Sequence, residues 1–411
     1  MPSNSRCINR LRDFFRTSAN QETHATIMWI CCIHLFWGIS TNMVSALLPI
    51  FFVYELNGSE LFGYFEGTIV AVSYVAKMSA GFFMDVFKKK KPMLMLGATL
   101  TVMSKTCLAC SWSPLLVFIS NSFDRFAKGL RHAATDSILA EIATKGGFAY
   151  SLRYVMTVLG AFIGAIITSL LVRSFGQNFH LIFTLAVIPT VIALYILKKI
   201  KYKESQKSTT KNRHRWNLKD ARLIPREYWS FIVAVPFLML NRFSEGFITL
   251  LAKEILPDSV AQFPVFIAFY ELCAMLTALT IGKIADRVNK KVLLVYGICI
   301  LIIADLIGVF AHNFYCVLAV YLLSGIHMGA TQGLLASIVA QYAPKHLIGT
   351  AFAIYYGIDG ISLFVSNCLA GASFKLAGFL GIHETAGPFI IGAIASTIAT
   401  VYLIYSLKIR K

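Results

Sequence analysis

Apolar runs of about 20 residues recur along the whole chain, and they constrain the fold more than any other feature. A helix of about 20 apolar residues crosses the hydrocarbon core of a bilayer. Of the 411 residues, 57% are hydrophobic and 14% are charged, whereas a soluble domain carries roughly 25% charged residues. The apolar excess must therefore face lipid. We predict an all-α membrane protein with twelve transmembrane helices, over residues 27–53, 61–87, 92–111, 113–139, 148–173, 177–197, 228–252, 261–286, 292–311, 314–341, 348–375 and 385–408.

The net charge of +18 is unevenly distributed between the loops. Of the 38 Lys and Arg residues, 27 lie in the ends and loops of one alternating set, and three lie in the opposite set. Lys and Arg are retained on the cytoplasmic side during membrane insertion. We therefore predict that both termini are cytoplasmic. The charge is a topology signal with some attraction for anionic lipids, and it does not indicate a nucleic-acid surface.

A long basic connection divides the chain near its midpoint. It is rich in Lys, Arg, Ser and Thr, and the segments on either side of it each contain six predicted helices. The predicted parts are a cytoplasmic N-terminal segment (1–26), a six-helix bundle (27–197), a cytoplasmic basic linker (198–227) and a second six-helix bundle (228–408).

The two halves repeat a short motif at the end of their second helix. Gly81 and Asp85 are followed by a run of lysines, and 201 residues later Gly282, Asp286 and Arg287 are followed by two lysines. Glycine allows two helices to approach, and the basic residues stay in the cytoplasm. Internal repeats of this kind place a binding site near the bilayer midplane between the halves, and rocking of one half against the other alternates access to it.

The motif G-x-x-x-D-R-x-x-[KR]-[KR] at Gly282 resembles the signature loop of the major facilitator superfamily. The fourth helix, with Arg125 and Gly129, resembles the R-x-x-x-G motif of that family, and Gly160 with Gly164 resembles its exporter-type glycine motif without the usual proline. The resemblance implies two pseudo-symmetric six-helix bundles in a bacterial inner membrane, from a branch whose substrates are unassigned. It also implies a part in proton coupling for Arg125. The latch residues that it implies are Gly81, Asp85, Gly282, Asp286 and Arg287.

Ionisable side chains inside the predicted helices are costly, and they mark either a transport pathway or a paired structural site. Glu66, Glu271 and Asp359 have no cation near them in sequence, so we predict them as proton-coupling candidates, with Arg125 as a modulator. Burial disfavours the charged form of a carboxyl group, which can therefore load and release a proton as its exposure alternates. Polar faces of the fourth, seventh and eleventh helices give the substrate-binding candidates Lys128, Arg131, His132, Asn241, Arg242, Glu245, Tyr355, Tyr356 and Asp359.

The charged residues leave several arrangements open. Arg242 and Glu245, three residues apart on one predicted helix, can neutralise each other. The basic residues of the first half can pair with acids of the second half, which would leave a neutral cavity suited to amphipathic drugs. Unpaired, they would form a cationic wall, and the substrate would be an anion such as a carboxylate metabolite or a carboxylate-type iron chelate.

The residues favour a secondary active transporter of a small organic solute, driven by protons. The sequence contains no G-x-x-x-x-G-K-[ST] segment, no G-x-S-x-G and no metal-spaced Cys/His cluster, so we predict no enzymatic activity, no metal and no cofactor. The predicted partners are the small solute, protons and membrane lipids, with no nucleic acid, and the protein is expected to be a monomer. The alternatives are a drug or metabolite exporter, an importer of an iron chelate (siderophore), a uniporter and, from a different class, a membrane-embedded transferase.

Overall fold

The computed structural model describes residues 21–87, 90–142, 146–200, 224–285, 288–343, 348–379 and 381–408. Within these ranges the chain is helical and contains no strand. Its longer helices are α1 (Gln21–Ser45), α2 (Phe62–Phe87), α3 (Lys90–Ala109), α4 (Pro114–Ile142), α5 (Gly146–Phe175), α6 (Phe179–Lys199), α7 (Arg226–Met239), α8 (Glu245–Ile255), α9 (Phe263–Ile284), α10 (Lys290–Val309), α11 (Phe314–Tyr342), α12 (Ile348–Phe379) and α13 (Gly387–Lys408).

In the described ranges these helices group into twelve segments, which fits the twelve predicted spans. We call these segments crossings, and two of them are not single straight helices. The first continues beyond α1 through short helical turns at Leu48–Ile50 and Phe51–Glu55. The seventh consists of α7 and α8, separated by a non-helical segment from Leu240 to Ser244. The continuous helix predicted over 228–252 is therefore interrupted near its middle. Within the described ranges, nine helical segments are long and apolar enough by themselves to cross a membrane.

The two halves form separate bundles joined along two helix pairs. In the first half, α1 packs against α5 and α6, and α4 packs against α2 and α3. In the second half, α11 packs against α9 and α10, while α7, α12 and α13 pack together. Between the halves, α2 packs against α12 and α5 packs against α9. The repeat relates α2 to α9 and α5 to α12, so the two interfaces are equivalent by the internal symmetry.

Glycines allow α1 and α5 to pack backbone against backbone. A Cβ atom on Gly160 would overlap the carbonyl oxygen of Leu35, and a Cβ on Gly164 would overlap that of Ile39. Small residues at such positions permit close helix approach inside a membrane. The glycine motif recognised in the sequence therefore lies at the interface between α1 and α5 of the first bundle.

One end of the molecule has a single apolar core shared by both halves. Phe52 stacks on Phe65 with ring centres 4.3 Å apart, and Phe62 meets Phe247 of the second half at 5.1 Å. At the opposite end, where α1 begins and α13 ends, each half has its own core in the described part of the chain. We call the shared core the aromatic closure, and it joins the halves where the first crossing ends.

Candidate functional site

A cavity lies between the halves beside the break in the seventh crossing. Its main lobe has a volume of about 720 Å³, and its wall includes Ser244 and Glu245 at the start of α8. A second lobe of about 400 Å³ reaches towards α1 and α5. Both lobes are lined by Lys128 and Glu271, so they adjoin. Ligand pockets commonly enclose about 300–1,000 Å³, and the two lobes are therefore of a size for a small molecule.

Helix α4 supplies the basic side of the cavity. Arg125 and Lys128 line the main lobe, and Arg131 lines the second lobe. Arg131 is 4% exposed, and its guanidinium carbon lies 4.2 Å from the centre of the Trp37 ring. Its Nε atom has no hydrogen-bond partner among the described residues. An aromatic face stabilises a guanidinium without neutralising its charge, so Arg131 remains able to bind an anion.

A polar cluster from three helices continues this basic wall in the second lobe. Nη1 of Arg153 in α5 lies 3.3 Å from Nδ1 of His132 in α4. The His132 ring lies 5.8 Å from that of His34 in α1, and His34 Nε2 is 3.5 Å from the Thr135 hydroxyl. The contacts fix both imidazole rings in the wall beside Arg131.

A buried ion pair lies behind the basic wall. Lys105 Nζ is 3.2 Å from Asp124 Oδ2, and the Ser104 hydroxyl is 3.5 Å from Asp124 Oδ1. Lys105 therefore compensates Asp124 directly, and it joins α3 to α4. Arg125, the sequence neighbour of Asp124, lines the cavity instead.

The second half supplies carboxylates to the opposite side. Glu245 at the start of α8 and Glu271 of α9 line both lobes. Their charges lie close enough to interact, and Tyr270 lies beside Glu245. Lys128 faces Glu271 closely enough for the two charges to attract, yet no ion pair joins them in the described part of the chain. The first half thus brings mainly basic side chains to the cavity and the second half mainly acidic ones, with Glu66 and Arg242 as the exceptions. We call these two sides the basic wall and the acidic wall.

Glu66 of α2 lies between the basic wall and the break in the seventh crossing. It is 4% exposed in the wall of the main lobe, with Arg125 near it. Ser244 of the second half also lies beside its carboxylate. The Oε2 atom of Glu66 has no hydrogen-bond partner within the described ranges. This carboxyl group therefore lies where the basic wall meets the interrupted crossing.

Asp359 lies behind the cavity wall rather than in it. It is 3% exposed in α12, and it lies beside Tyr74 of α2. Tyr74 and Tyr356 line the main lobe with their ring centres 6.2 Å apart. Tyr355 is buried in the core of the second half. Of the predicted residues Tyr355, Tyr356 and Asp359 on α12, Tyr356 is the one that lines the cavity.

Polar side chains of α12 satisfy the backbone groups that the break in the seventh crossing releases. Asn367 Oδ1 accepts a hydrogen bond of 2.8 Å from the backbone N–H of Ser244. The Ser366 hydroxyl donates one of 2.8 Å to the backbone carbonyl of Leu240. Non-helical backbone at membrane depth is tolerated where it is buried in protein and its polar groups are bonded. The break is therefore stabilised by hydrogen bonds from α12, and it forms part of the cavity wall.

Asn241 is held inside the second bundle. Its Nδ2 atom donates to Asp305 Oδ2 at 2.9 Å and also contacts the Ser396 hydroxyl. Asn241 is 3% exposed and lines neither lobe. These contacts connect the interrupted crossing to α10 and α13.

Arg242 bonds to Thr331 rather than to Glu245, the partner that the sequence left open. Its Nη2 atom donates to the Thr331 hydroxyl of α11 at 2.7 Å. Mutual neutralisation with Glu245 requires a continuous helix, in which residues three apart share a face. The break removes that geometry, and no ion pair between Arg242 and Glu245 occurs among the described residues. Arg242 lines the main lobe from outside the helix.

The latch residues lie at the edge of what the structure describes. Asp286 and Arg287 lie outside the described residues, as do the side-chain surroundings of Gly81 and Asp85. Gly282 is exposed, and a Cβ atom there would meet nothing within 4 Å. No other helix approaches Gly282 closely among the described residues, and the latch stays a prediction.

The structure brings most of the predicted site residues into one cavity and adds uncharged residues that the sequence did not indicate. Trp37, Tyr270, Ser244 and Asn367 all line it. Aromatic and amide side chains in an apolar helix commonly serve packing, so no local pattern singles them out. No group of three or more His, Cys, Asp or Glu side chains in the described ranges is arranged to hold a metal ion. The predicted residues that line the cavity are Glu66, Arg125, Lys128, Arg131, His132, Arg242, Glu245, Glu271 and Tyr356.

Comparison with known families identifies the kind of protein that has this cavity. The sequence profile of the Major Facilitator Superfamily matches residues 30–255 and 238–411. The chain belongs to the major facilitator superfamily. An uncharacterized MFS-type transporter of Methanocaldococcus jannaschii is 24% identical over 373 residues, which cover 89% of this chain and 91% of that protein.

Solved structures of the superfamily share the fold of this transporter. The nucleoside transporter NupG superposes with a TM-score of 0.75 at 13% identity, over 95% of this chain and 100% of that chain. A D-xylose-proton symporter superposes with a TM-score of 0.71 at 14% identity, over 92% of this chain and 96% of that chain. The protein is a multi-pass membrane protein and a secondary transporter, and not an enzyme. Transporters of this type bind small-molecule substrates and commonly work as monomers.

Proposed function

We propose that this transporter moves a small organic solute that carries a carboxylate group, and that protons drive the transport. The observation that supports the proposal is the basic wall of the cavity, where Lys128 and Arg131 face a space of ligand size. Secondary transporters bind their solutes near the bilayer midplane, between the two halves. A guanidinium can hold a carboxylate through two parallel hydrogen bonds, which fits Arg131 for this role.

The proposed coupling uses carboxyl groups that change their surroundings during transport. Glu66 and Glu271 line the cavity, and Asp359 lies just behind it. Water favours the ionised form of such a group and burial favours the neutral form. A carboxyl that is wetted on alternate sides therefore takes up a proton on one side and releases it on the other. Arg125, beside Glu66, is the proposed modulator.

Proteoliposomes containing the purified protein test the coupling. With a pH gradient imposed across the vesicles, we expect accumulation of at least one member of a panel of labelled carboxylates that includes succinate, citrate and ferric citrate. Glu66→Gln and Glu271→Gln identify the acid that matters, because the essential one should abolish gradient-driven accumulation and retain exchange. Transport that ignores the imposed gradient would replace coupling with uniport.

Neutral replacements on the basic wall test the carboxylate. Lys128→Gln and Arg131→Gln each remove one charge-assisted hydrogen bond, so the affinity for the transported carboxylate should fall by roughly tenfold or more. Arg173→Gln is the matched control, because Arg173 is exposed at the end of α5, away from the cavity. Normal transport by both cavity variants, or transport of cationic drugs alone, would favour export of amphipathic compounds instead.

We further propose that the transporter lies in a bacterial inner membrane with both termini in the cytoplasm. Thiol labelling of intact cells with an impermeant reagent, in a cysteine-free background, tests the orientation. Ser59→Cys, at an exposed position after the first crossing, should be labelled from outside. Ser208→Cys, in the basic linker, should be protected until the cells are opened. The reverse pattern would invert the assignment.

A further inference from the structure

We infer that the transported solute is amphoteric: beside its carboxylate it carries a protonated amine, which Glu245 and Glu271 bind. The inference rests on the proposed function and adds a second recognition element to the same cavity. It starts from the separation of charge between the two halves, because no ion pair joins the basic wall to the acidic wall within the described residues.

Glu245 and Glu271 form no ion pair among the described residues, although Arg242 lines the same lobe. Glu245 and Glu271 both line the two lobes, and they lie close enough to repel each other. Removing water from two neighbouring carboxylates strengthens that repulsion. Lys128 faces Glu271, but the described part of the chain shows no hydrogen bond or ion pair between them. A cation that enters the cavity supplies the missing charge.

The basic wall has more positive charges than carboxylates to balance them. Asp124, the carboxylate nearest in sequence, is paired with Lys105 behind the wall. Arg131 is buried against Trp37, and its Nε has no hydrogen-bond partner within the described ranges. Asp124 attracts Arg131 as well as Lys105, so this one carboxylate offsets only part of the positive charge that Arg125, Lys128 and Arg131 bring to the cavity. An anionic group in the cavity would be bound by Arg131 and Lys128.

Only a solute with both charges satisfies both walls. A simple carboxylate leaves Glu245 and Glu271 uncompensated, and a simple amine leaves Arg131 uncompensated, at the cost of a buried unpaired charge. A neutral solute compensates neither wall. The two lobes, of about 720 and 400 Å³, leave room for a solute whose charged groups lie at different positions. The cavity therefore selects for an amino acid or a related amino-carboxylate.

A matched set of five-carbon solutes tests this selection on the full-length protein. Pentanoate carries the carboxylate alone, pentylamine carries the amine alone, and norvaline and 5-aminopentanoate carry both at two spacings. A ligand that binds the folded state raises its melting temperature. We expect the largest rise, and at least tenfold tighter binding, for an amphoteric member of this set or of a wider metabolite panel sorted by the same charge classes. Equal or tighter binding of singly charged solutes, or no amphoteric ligand in the whole panel, overturns the inference.

Two substitutions distinguish the contribution of the acidic wall to binding from that of the basic wall. Glu271→Gln should weaken amphoteric binding by roughly tenfold to a hundredfold without weakening pentanoate binding. Lys128→Gln should weaken both. Asp258→Asn, in an exposed turn outside the cavity, is the matched control for loss of a carboxylate. If Glu271→Gln does not fold, Glu245→Gln gives the same comparison; a variant that folds and binds both ligand classes like the wild type overturns the inference.

The two proposals fail in different ways. If carboxylates without an amine bind and are transported as well as amphoteric ones, the amine is not recognised and the proposed function stands. If amphoteric solutes bind selectively but their transport does not respond to a pH gradient, the recognition of both charges is supported and the proposed proton coupling is wrong.

Discussion

The Lys105–Asp124 ion pair holds its charges deep inside the first bundle. The side chain of Lys105 is 4% exposed and that of Asp124 is 12% exposed. Charges removed from water are costly, and each is tolerated because its partner is present. The pair joins α3 to α4 behind the residues that form the basic wall.

Removing one member of this pair should be more harmful than removing both. Lys105→Met leaves Asp124 buried without its ion-pair partner, and we expect a loss of up to about 3–5 kcal/mol in unfolding free energy. The double variant Lys105→Met, Asp124→Leu removes both charges at similar volume and should melt near the wild type. The melting temperature of the detergent-purified protein gives the comparison. A single variant as stable as the double one would contradict the assignment.

Charge positions were predictable from the sequence, whereas most charge partners were not. The spacing along the fourth helix predicted a polar face with Lys128 and Arg131, and the structure places both at the cavity. The partner of Asp124 comes from another helix, and helical periodicity relates only residues of one helix. The same limit hid the contact of Arg131 with Trp37. Their roles in binding stay predictions.

At the scale of the element, the interrupted seventh crossing positions the acidic wall. Ser244 caps α8 by accepting a hydrogen bond from the backbone N–H of Gly246, and Glu245 follows it directly. Asn367 of α12 fixes the Ser244 backbone. The place where α8 begins, and hence the position of the Glu245 side chain, is thus set by a contact between two helices of the second bundle.

Loss of this contact should destabilise the bundle and impair transport together. Asn367→Leu leaves the half-buried Ser244 N–H without its acceptor, at a cost of about 1–2 kcal/mol. Ser362→Ala is the control on the same helix, since its hydroxyl donates only to the Ile358 carbonyl four residues earlier, and we expect a loss under about 1 kcal/mol. Melting temperature and proteoliposome uptake measure both effects. Equal melting temperatures for the two variants would argue against a structural role for Asn367.

The close packing of α1 and α5 gives a second test at this scale. Gly160→Ala places a methyl group against the Leu35 carbonyl, so the helices must separate at a cost of about 1–3 kcal/mol. Gly333→Ala in α11 adds the same atom where nothing lies within 4 Å, and it should be neutral or stabilising by up to about 1 kcal/mol. The melting temperature should therefore fall for Gly160→Ala and stay the same or rise for Gly333→Ala. Similar shifts would mean that the α1–α5 contact is loose.

Hydropathy predicted the crossings well but could not predict the break. Residues 240–244 contain no Gly or Pro, and Pro236 lies one turn earlier inside α7. A hydropathy window measures side-chain transfer and is blind to backbone hydrogen bonds. Ser366 and Asn367, which satisfy the open backbone, are more than 120 residues away in sequence. Only the assembled bundle brings them to the break.

At the scale of the whole molecule, the aromatic closure and the packing of α2 against α12 hold the halves together, and this packing includes a glycine pair beside the closure. A Cβ atom on Gly371 of α12 would lie 2.7 Å from the Cα of Gly63 in α2, so these helices touch through their backbones. Phe62, next to Gly63, packs on Phe247 of the other half. The structure is thus closed at this end, and transport requires this contact to open and re-form.

A bulky residue at the glycine contact should shift the protein towards the opposite state. Gly371→Leu prevents α2 and α12 from closing, whereas Gly378→Ala on the same helix meets only an ordinary contact and is the control. A cysteine at Thr41, in the wall of both lobes, reports access to the cavity in a cysteine-free background. We expect Gly371→Leu to make this cysteine reactive from the closed end. Unchanged labelling would show that other contacts keep the end shut.

The aromatic closure also has a thermal consequence. Opening it exposes stacked rings, among them Phe52, Phe62 and Phe247, to water. Exposure of apolar surface increases the heat capacity, so the free energy of opening must curve with temperature. The closed population should therefore pass through a maximum and fall on both cooling and warming. A plot of the logarithm of the transport rate against inverse temperature should accordingly bend without any change in the lipid phase.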